Sequence, residues 1–168
     1  MAKRRRQAPD VSKATDYTVA QNRRARYDYE ILSYAEAGLV LLGSEIKSIR
    51  AGRANITEGH GRLRDGEAWL ENVHIAPYPP ARENHEPTRP RKLLLHKEEI
   101  RRLERTLGEN PRTTLIPLRL YLKAGRAKVE LGVGRGRRSY DKREAIAKRD
   151  SARSMQRALR HAVRESPR

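Results

Sequence analysis

Residues 36–56, EAGLVLLGSEIKSIRAGRANI, constrain the fold more than any other stretch because they join an apolar segment directly to a short charged one. Leu39–Leu42 form an uninterrupted apolar run, which predicts a strand buried on both faces. Gly43 ends that run, and we expect a short helix over residues 44–51 that Gly52 terminates as a C-cap glycine.

The predicted helix has one apolar face and one basic face. Ile46 and Ile49 lie three residues apart on the apolar face, whereas Lys47 and Arg50, also three apart, share an adjacent outward face. Glu36 lies where we expect the strand to begin. A short rigid helix that presents two cations in this way is suited to binding a polyanion.

Two turn signals predict β-hairpins further along the chain. A loosely alternating segment surrounds Asp65 and Gly66, a dipeptide typical of a type I′ turn. Residues 115–133 alternate apolar and polar positions on both sides of a turn near Ala124 and Gly125. Each pattern predicts two paired antiparallel strands.

A loop and a second helix are expected between the hairpins. Residues 76–90 hold several prolines among polar residues, so regular structure should stop there. In residues 91–111 the pattern changes period, because Ile100, Leu103 and Leu107 recur at helical spacing. One amphipathic helix is therefore predicted in that segment.

These elements predict a mainly β fold with helices, of the α+β class. About six short strands with two inserted helices favour a small β-barrel over a layered α/β sheet. We expect an oligonucleotide-binding barrel over residues 21–134, with Trp69 packed in its core. Residues 1–20 are predicted to be a disordered basic N-terminal tail and residues 135–168 a basic C-terminal tail.

Composition restricts the class of protein further. A chain of 168 residues is expected to form one domain, and it has no apolar run near 18 residues that would span a membrane. It has no cysteine and no signal-like N-terminus, which excludes disulfide scaffolds and thiolate metal sites and favours a cytoplasmic location.

The net charge of +17 is concentrated at the two ends of the sequence. The net charge is +6 over residues 1–26, +3 over residues 27–134 and +8 over residues 135–168. A nearly balanced middle with two basic tails is typical of RNA-associated and ribosome-associated proteins. A membrane surface is the alternative polyanion, but neither tail has the large apolar face that interfacial binding needs.

Residues 22–26, NRRAR, concentrate arginine just before a strand-like stretch, residues 27–34. The guanidinium groups of Arg23, Arg24 and Arg26 have the fork geometry that binds phosphates and base edges. The alternative is that this segment is only a solvated entry into the first strand.

The chain resembles small protein B, the family of bacterial transfer-messenger-RNA-binding proteins of trans-translation, also called SsrA-binding proteins. The resemblance covers about residues 21–150 and is carried by blocks in the family's order. They are NRRARYDYEI, EAGLVLLGSEIKSIRAGRANI, DGEAWLENVHIAPY, NHEPTRPRKLLLHKEEI and GRGRRSYDKREAI. The family fold is an oligonucleotide-binding barrel with helices, in agreement with the pattern above.

The resemblance implies a function that periodicity does not. Members bind the tRNA-like domain of transfer-messenger RNA, support its charging by alanyl-tRNA synthetase, and bring it with elongation factor Tu to stalled ribosomes. The synthetase and the factor would be reached indirectly, through the RNA. The basic tail is implied to become helical in the empty message channel of the small subunit. No membrane, cofactor or metal is implied, and we expect a monomer.

The resemblance also implies RNA-contact residues. The family's contact positions fall on Asn22, Glu36 and Leu94. Neighbouring candidates on the binding face are Lys47, Arg50, Arg91 and Lys92, and Arg23, Arg24 and Arg26 remain candidate RNA contacts from the chemistry of their side chains. Because a carboxylate repels phosphates, Glu36 is expected to accept from a base amino group or to orient an arginine.

The resemblance implies that one segment of the C-terminal tail contacts the decoding centre of the ribosome. This segment comprises Arg135, Arg137, Arg138, Tyr140, Asp141, Lys142 and Arg143. Many family members have histidine where this chain has Tyr140, and both side chains can stack on a base.

We expect no catalytic activity. The five histidines show no metal-ligand spacing, and the sequence has no GxSxG motif and no phosphate-cradling loop. A constitutive ribosomal or general RNA-binding protein is the more serious alternative, because a balanced middle with basic tails describes those proteins equally well.

Overall fold

The computed structural model describes residues 17–137 and Met155. Nine strands and three helices occur in residues 17–137. They are β1 (Tyr17–Gln21), α1 (Ala25–Asp28), β2 (Tyr29–Leu39), α2 (Gly43–Arg50), β3 (Ala54–Asn55), β4 (His60–Arg64), β5 (Glu67–Glu71), β6 (His74–Ile75), β7 (Arg91–Leu94), α3 (Lys97–Glu109), β8 (Thr113–Lys123) and β9 (Arg126–Gly136).

The main sheet closes on itself as a barrel. Its strand order is β1-β8-β4-β5-β7-β2-β9, and β9 also pairs with β8, so that six strands form a ring to which β1 is added. All of these pairings are antiparallel. β3 and β6 form a separate two-stranded sheet. The predicted mainly β barrel with inserted helices is confirmed.

Alternating residues of β8 and β9 fill the barrel interior. Leu115, Leu120 and Leu122 of β8 are buried, and so are Leu131 and Val133 of β9. Side chains of a strand point alternately to opposite faces, so the period-two pattern in the sequence corresponds to this inside face. From α3, Leu103 packs against the same core.

A second, smaller apolar cluster lies apart from the main core. Ile116 and Leu118 of β8 pack there with Ala25 of α1 and with Ile31 of β2. Gly132 makes room for this layer, because a Cβ atom at that position would lie 2.9 Å from Leu118 Cδ1. The cluster holds α1 against the barrel.

Both predicted hairpin turns are confirmed. Asp65 and Gly66, between β4 and β5, have φ angles of 53° and 71°. Ala124 and Gly125, between β8 and β9, have φ angles of 48° and 74°. Two consecutive positive φ angles are the requirement of a type I′ turn.

The apolar run Leu39–Leu42 is not a buried strand, which corrects the first expectation. β2 begins at Tyr29 and already ends at Leu39. Val40 and Leu42 are 46% and 50% exposed, respectively. Helix α2 begins immediately afterwards, so this run is a connection between β2 and α2 rather than a strand.

Three further boundaries differ from the sequence interpretation. Residues 17–20, predicted to belong to the disordered N-terminal tail, form most of strand β1. Residues 25–28 form the helical turn α1, where a strand was expected from residue 27. The segment predicted as one helix begins with strand β7, and α3 starts only at Lys97. Trp69 is half-buried rather than enclosed in the core.

Candidate nucleic-acid interface

A cleft between β2, β7 and the start of α3 brings three of the predicted RNA contacts together. We call it the Glu36 cleft, and its volume is about 580 Å³. Its lining includes Glu36, Lys92 and Leu94. The antiparallel pairing of β2 with β7 places Gly38 of β2 opposite Leu94, so residues far apart in sequence form one surface.

The carboxylate of Glu36 is held by two donors. Lys128 Nζ donates to one carboxylate oxygen and the hydroxyl of Tyr121 donates to the other. The hydrogen bond from Lys128, followed by that from Tyr121, holds the pKa of Glu36 below its ordinary value of 4.5. Burial, together with the bond to Glu36, raises the pKa of Tyr121 above its ordinary value of 10.0. Glu36 is therefore an ionised acceptor in a fixed orientation.

Tyr121 is itself fixed by its neighbours. Its side chain is buried, and the guanidinium carbon of Arg119 lies 4.4 Å from its ring centroid. Arg119 Nε donates to Glu130 Oε2 at 3.1 Å. Glu130 lies opposite Glu36 in the β2–β9 pairing. The support of Glu36 on β2 thus extends to β8 and β9, and the sequence interpretation connected Glu36 to neither of these two strands.

Leu94 supplies an apolar wall of the Glu36 cleft. Its side chain is 55% exposed. A Cβ atom at Gly38 would lie 3.3 Å from Leu94 Cβ, so the glycine leaves the space that Leu94 occupies. An exposed leucine beside a fixed acceptor can pack against the face of a base or ribose while the base edge is recognised.

The Glu36 cleft has no net charge from its lining. The ionised residues that line it are Lys92, Lys97, Lys128, Glu36, Glu67 and Glu99. Lys92 is paired with Glu67, and Lys128 with Glu36. The carboxylate of Glu99 accepts from the backbone N–H of His96 at 2.8 Å. This arrangement can orient a ligand but adds little long-range attraction for phosphate.

Asn22 supports α1 from beneath. It is only 6% exposed. Its Oδ1 accepts from the backbone N–H of Ala25 at 3.0 Å, and its Nδ2 donates to the carbonyl of Thr57 at 3.4 Å. Ala25 is the first residue of α1, so the side chain of Asn22, three residues earlier, satisfies one of the backbone N–H groups that a helix N-terminus leaves without a partner. Asn22 therefore determines how the neighbouring arginines are presented.

The arginines of this segment are exposed, as the sequence predicted. The side chains of Arg23, Arg24 and Arg26 are all exposed on the turn that Asn22 supports. The Nε atom of Arg24 lies 3.9 Å from Asp28 Oδ2. Asn22 and Arg24 line a second cleft, of about 420 Å³, which shares no lining residue with the Glu36 cleft. The structure thus separates the two groups of predicted contacts.

Lys47 and Arg50 are exposed on α2, as expected, and lie outside the Glu36 cleft. Lys47 Nζ lies 5.6 Å from the ring centroid of Tyr78. Arg50 donates to the carbonyl of Gly125 at 3.3 Å. Ile49 is buried in the barrel core and anchors the helix that carries them.

Arg91 is not on the RNA-binding face, which corrects its assignment as a contact. Its side chain is 0% exposed. Its Nε donates to Glu45 Oε1 at 2.8 Å, and its two terminal nitrogens donate to the carbonyls of Val73, Pro87 and Arg89 at 2.6, 2.9 and 3.1 Å. A guanidinium with all these partners holds the proline-containing loop onto the barrel.

Glu45 is the residue that the sequence interpretation missed. It is fully buried and also accepts from Arg89 Nε at 2.8 Å and from the Leu42 backbone N–H at 2.7 Å. Burial by itself raises the pKa of Glu45, but the bonds from Arg89, Leu42 and Arg91 outweigh burial and the pKa lies below 4.5. The available signal was an acidic residue three positions after the N-cap, here Leu42, because such residues accept a hydrogen bond from the N-cap backbone N–H.

The proposed tail contacts are only partly described. Arg135 lies in β9 and pairs with Glu30 at 2.6 Å, and the backbone N–H of Arg137 donates to the carbonyl of Asp28. The predicted barrel boundary at residue 134 falls inside β9, which continues to Gly136. The contacts predicted at Arg138, Tyr140, Asp141, Lys142 and Arg143, and most of the predicted N-terminal tail, lie outside the described residues.

Neither a metal-binding cluster nor a membrane-spanning helix occurs in the described part of the chain. There, no three histidine or acidic side chains are grouped so that they could hold a metal ion. No described helix is long and apolar enough to cross a membrane.

Comparison with known proteins gives consistent matches. The family model described as SmpB protein matches residues 19–161. An SsrA-binding protein of Roseiflexus castenholzii (strain DSM 13941 / HLO8) is 57% identical over 148 residues, covering 87% of this chain and 93% of the relative. One of Thermobifida fusca (strain YX) is 56% identical over 144 residues, covering 85% and 89%.

A solved structure is similar as well. It is described as "tmRNA-SmpB: a journey to the center of the bacterial ribosome". Its chain is 49% identical, with a TM-score of 0.61, and the match covers 75% of this chain and 92% of that one.

Proposed function

The chain belongs to the SmpB protein family, and we propose that it binds transfer-messenger RNA in trans-translation, the rescue of stalled ribosomes. The observation that carries the proposal is the family match over residues 19–161, which includes the whole barrel and much of the basic C-terminal segment. The relatives are SsrA-binding proteins, and the similar solved structure concerns the same RNA and the ribosome.

The Glu36 cleft is the part of the barrel that we assign to RNA recognition. An ionised carboxylate can only accept hydrogen bonds, so Glu36 selects a base amino or imino group and rejects a phosphate. Leu94 offers the neighbouring apolar contact. Tyr121 and Lys128 hold the carboxylate before the RNA arrives, which lowers the entropic cost of binding.

The same family membership supports proposals about the finer parts of the function. We propose that the chain acts without catalysis, as a monomer in the cytoplasm, and that it promotes alanine charging of the RNA and its delivery with elongation factor Tu. The basic segment after β9 is proposed to enter the message channel, where Tyr140 would stack on a decoding-centre base. The net charge of +8 over residues 135–168 supports this placement, because the channel is lined by RNA.

Binding of transfer-messenger RNA by purified Glu36→Ala and Leu94→Ala variants tests the recognition role. Losing a hydrogen bond made by a charged acceptor should cost about 1–3 kcal/mol, which is about 5- to 150-fold in Kd. Glu30→Ala and Leu32→Ala are matched controls, because both residues are exposed on β2 and lie outside the cleft. The controls should bind like the wild type.

The opposite result for Glu36→Ala would refute the assigned role. If attraction between charges alone governed binding, removing an acid and freeing Lys128 would tighten the complex. A Glu36→Ala variant that binds the RNA more tightly, or a Glu30→Ala variant that loses as much affinity, would therefore contradict recognition at this cleft.

Truncation after Arg137 separates the barrel from the tail. The cut spares β9, which ends at Gly136. We expect the truncated chain to bind isolated transfer-messenger RNA within about tenfold of the full chain, a difference of about 1.4 kcal/mol, while tagging of nascent chains on stalled ribosomes is lost. Preserved tagging would contradict the proposed division. Sequencing the RNA that copurifies with the chain separates this function from that of a constitutive ribosomal protein.

A further inference from the structure

Helix α3 carries three arginines on its solvent side at a short distance along the chain from the Glu36 cleft. We propose that Arg101, Arg102 and Arg105 bind the phosphate backbone of the RNA whose bases occupy that cleft. The inference rests on the proposed function and adds to it the surface that supplies the electrostatic part of the affinity.

The Glu36 cleft cannot supply that part itself. The charges of its lining lysines are balanced by those of its lining glutamates, and Lys92 and Lys128 are already paired within it. Affinity for a nucleic-acid backbone arises from cations that release counterions when they meet phosphates. Cations outside the cleft must therefore provide it.

Helix α3 starts in the cleft and leads away from it. Lys97 and Ile100, in its first turn, line the cleft. The helix has 13 residues, which corresponds to about 20 Å at 1.5 Å per residue. Ile100 and Leu103 are buried, so the arginines at 101, 102 and 105 are turned outward, and all three are exposed. A backbone that leaves the cleft along α3 would meet them.

These arginines have no carboxylate partner in the described structure, a property that they share with other exposed cations such as Arg23, Arg26 and Lys47, but they also lie on the helix that starts in the Glu36 cleft. Within residues 17–137, no acidic oxygen lies within 4.0 Å of their guanidinium groups. By contrast, Arg24, Arg62, Arg64, Arg119 and Arg135 are each paired with an acidic residue.

The acidic residues of α3 do not cancel these charges. Glu98 and Glu109 lie four residues from Arg102 and Arg105, respectively, and Glu104 lies three residues from Arg101, so each arginine has an acidic residue at helical spacing. Exposed pairs at helical spacing contribute only about 0.3–0.5 kcal/mol each. Exchanging such a pair for a phosphate costs little, and a guanidinium can bind phosphate oxygens through two parallel hydrogen bonds.

The test compares Arg101→Gln/Arg105→Gln with Arg62→Gln/Arg64→Gln. Both double variants remove two positive charges from exposed side chains, and glutamine preserves helix propensity in α3. Affinity for the tRNA-like domain of transfer-messenger RNA is measured for each variant at several salt concentrations. Circular dichroism and thermal unfolding verify that both variants fold like the wild type.

The plot of log K against log salt has a negative slope, and we expect the α3 variant to make it shallower by about 1.4–1.8 because two phosphate contacts are lost. Binding at 0.1 M salt should weaken at least about tenfold. The β4 variant should stay within about twofold of the wild type, since its arginines do not line the Glu36 cleft and do not lie on the helix that starts there. Equal losses in both variants would show a dependence on net charge alone and would overturn the inference. An α3 variant that binds like the wild type would overturn it while leaving the proposed function intact, whereas a wild type without affinity for this RNA would overturn both.

Discussion

Replacing Arg91 by methionine distinguishes a structural cation from an RNA-binding one. Arg91 and Glu45 form a pair in which both side chains are 0% exposed. Methionine retains much of the volume of the arginine stem but makes none of its hydrogen bonds, so the carboxylate of Glu45 and the carbonyls of Val73 and Pro87 lose a donor.

The expected loss of stability is large. Removing one partner of a buried ion pair typically costs about 3–5 kcal/mol, because the other charge is left uncompensated. Arg89 still bonds Glu45, which places the expectation toward the lower end of that range. For a chain of this size each 1 kcal/mol lowers Tm by about 2–4 °C, so we expect a decrease of about 6–12 °C.

Lys92→Met is the matched control at the adjacent position. Its ion pair with Glu67 is partly exposed and should contribute about 0–1 kcal/mol. Unfolding of the wild type and both variants is followed by circular dichroism, and RNA binding is measured at a temperature where all three are folded. Arg91→Met should lose stability but keep its affinity. An unchanged Tm with reduced RNA affinity would refute the structural role of Arg91.

Three other substitutions or conditions have defined outcomes. Tyr121→Phe removes one donor to Glu36 and should weaken transfer-messenger RNA binding by about 1 kcal/mol, or fivefold, with little change in Tm, as measured by filter binding and calorimetry. Because folding lowers the pKa of Glu45, the stability that its carboxylate contributes is present above pH about 4.5 and is lost as pH falls further. The urea midpoint should therefore decline less steeply between pH 7 and 3 in Glu45→Gln than in the wild type. Gly61→Ala places a Cβ atom against the side chain of Leu115, where β4 and β8 pair, and should lower the free energy of unfolding by about 1–3 kcal/mol in urea titrations.

The parts of the fold that sequence predicted are those that short segments determine. The two hairpins follow from Asp65-Gly66 and Ala124-Gly125, whose backbone angles need no distant contact to be favoured. The apolar spacing of α3 likewise reports its buried face. The prediction of a buried strand at Leu39–Leu42 was wrong because four consecutive apolar residues do not show whether a segment is buried. In the structure two of the four, Val40 and Leu42, are exposed next to α2.

The sequence did not show which basic residues contact RNA where the role of a basic residue depends on a carboxylate far away in the sequence. Arg91, Lys92 and Arg101 all appear in the sequence as basic residues of one segment. The fold buries Glu45, 46 residues away, against Arg91, pairs Lys92 with Glu67, and leaves Arg101 without an acidic partner in the described structure. Their roles are correspondingly different, since a buried pair stabilises, a paired cation in a neutral cleft orients, and an unpaired exposed arginine attracts phosphate. Net charge alone predicts an RNA-binding protein, but the positions of the acidic residues determine which of its cations meet the RNA.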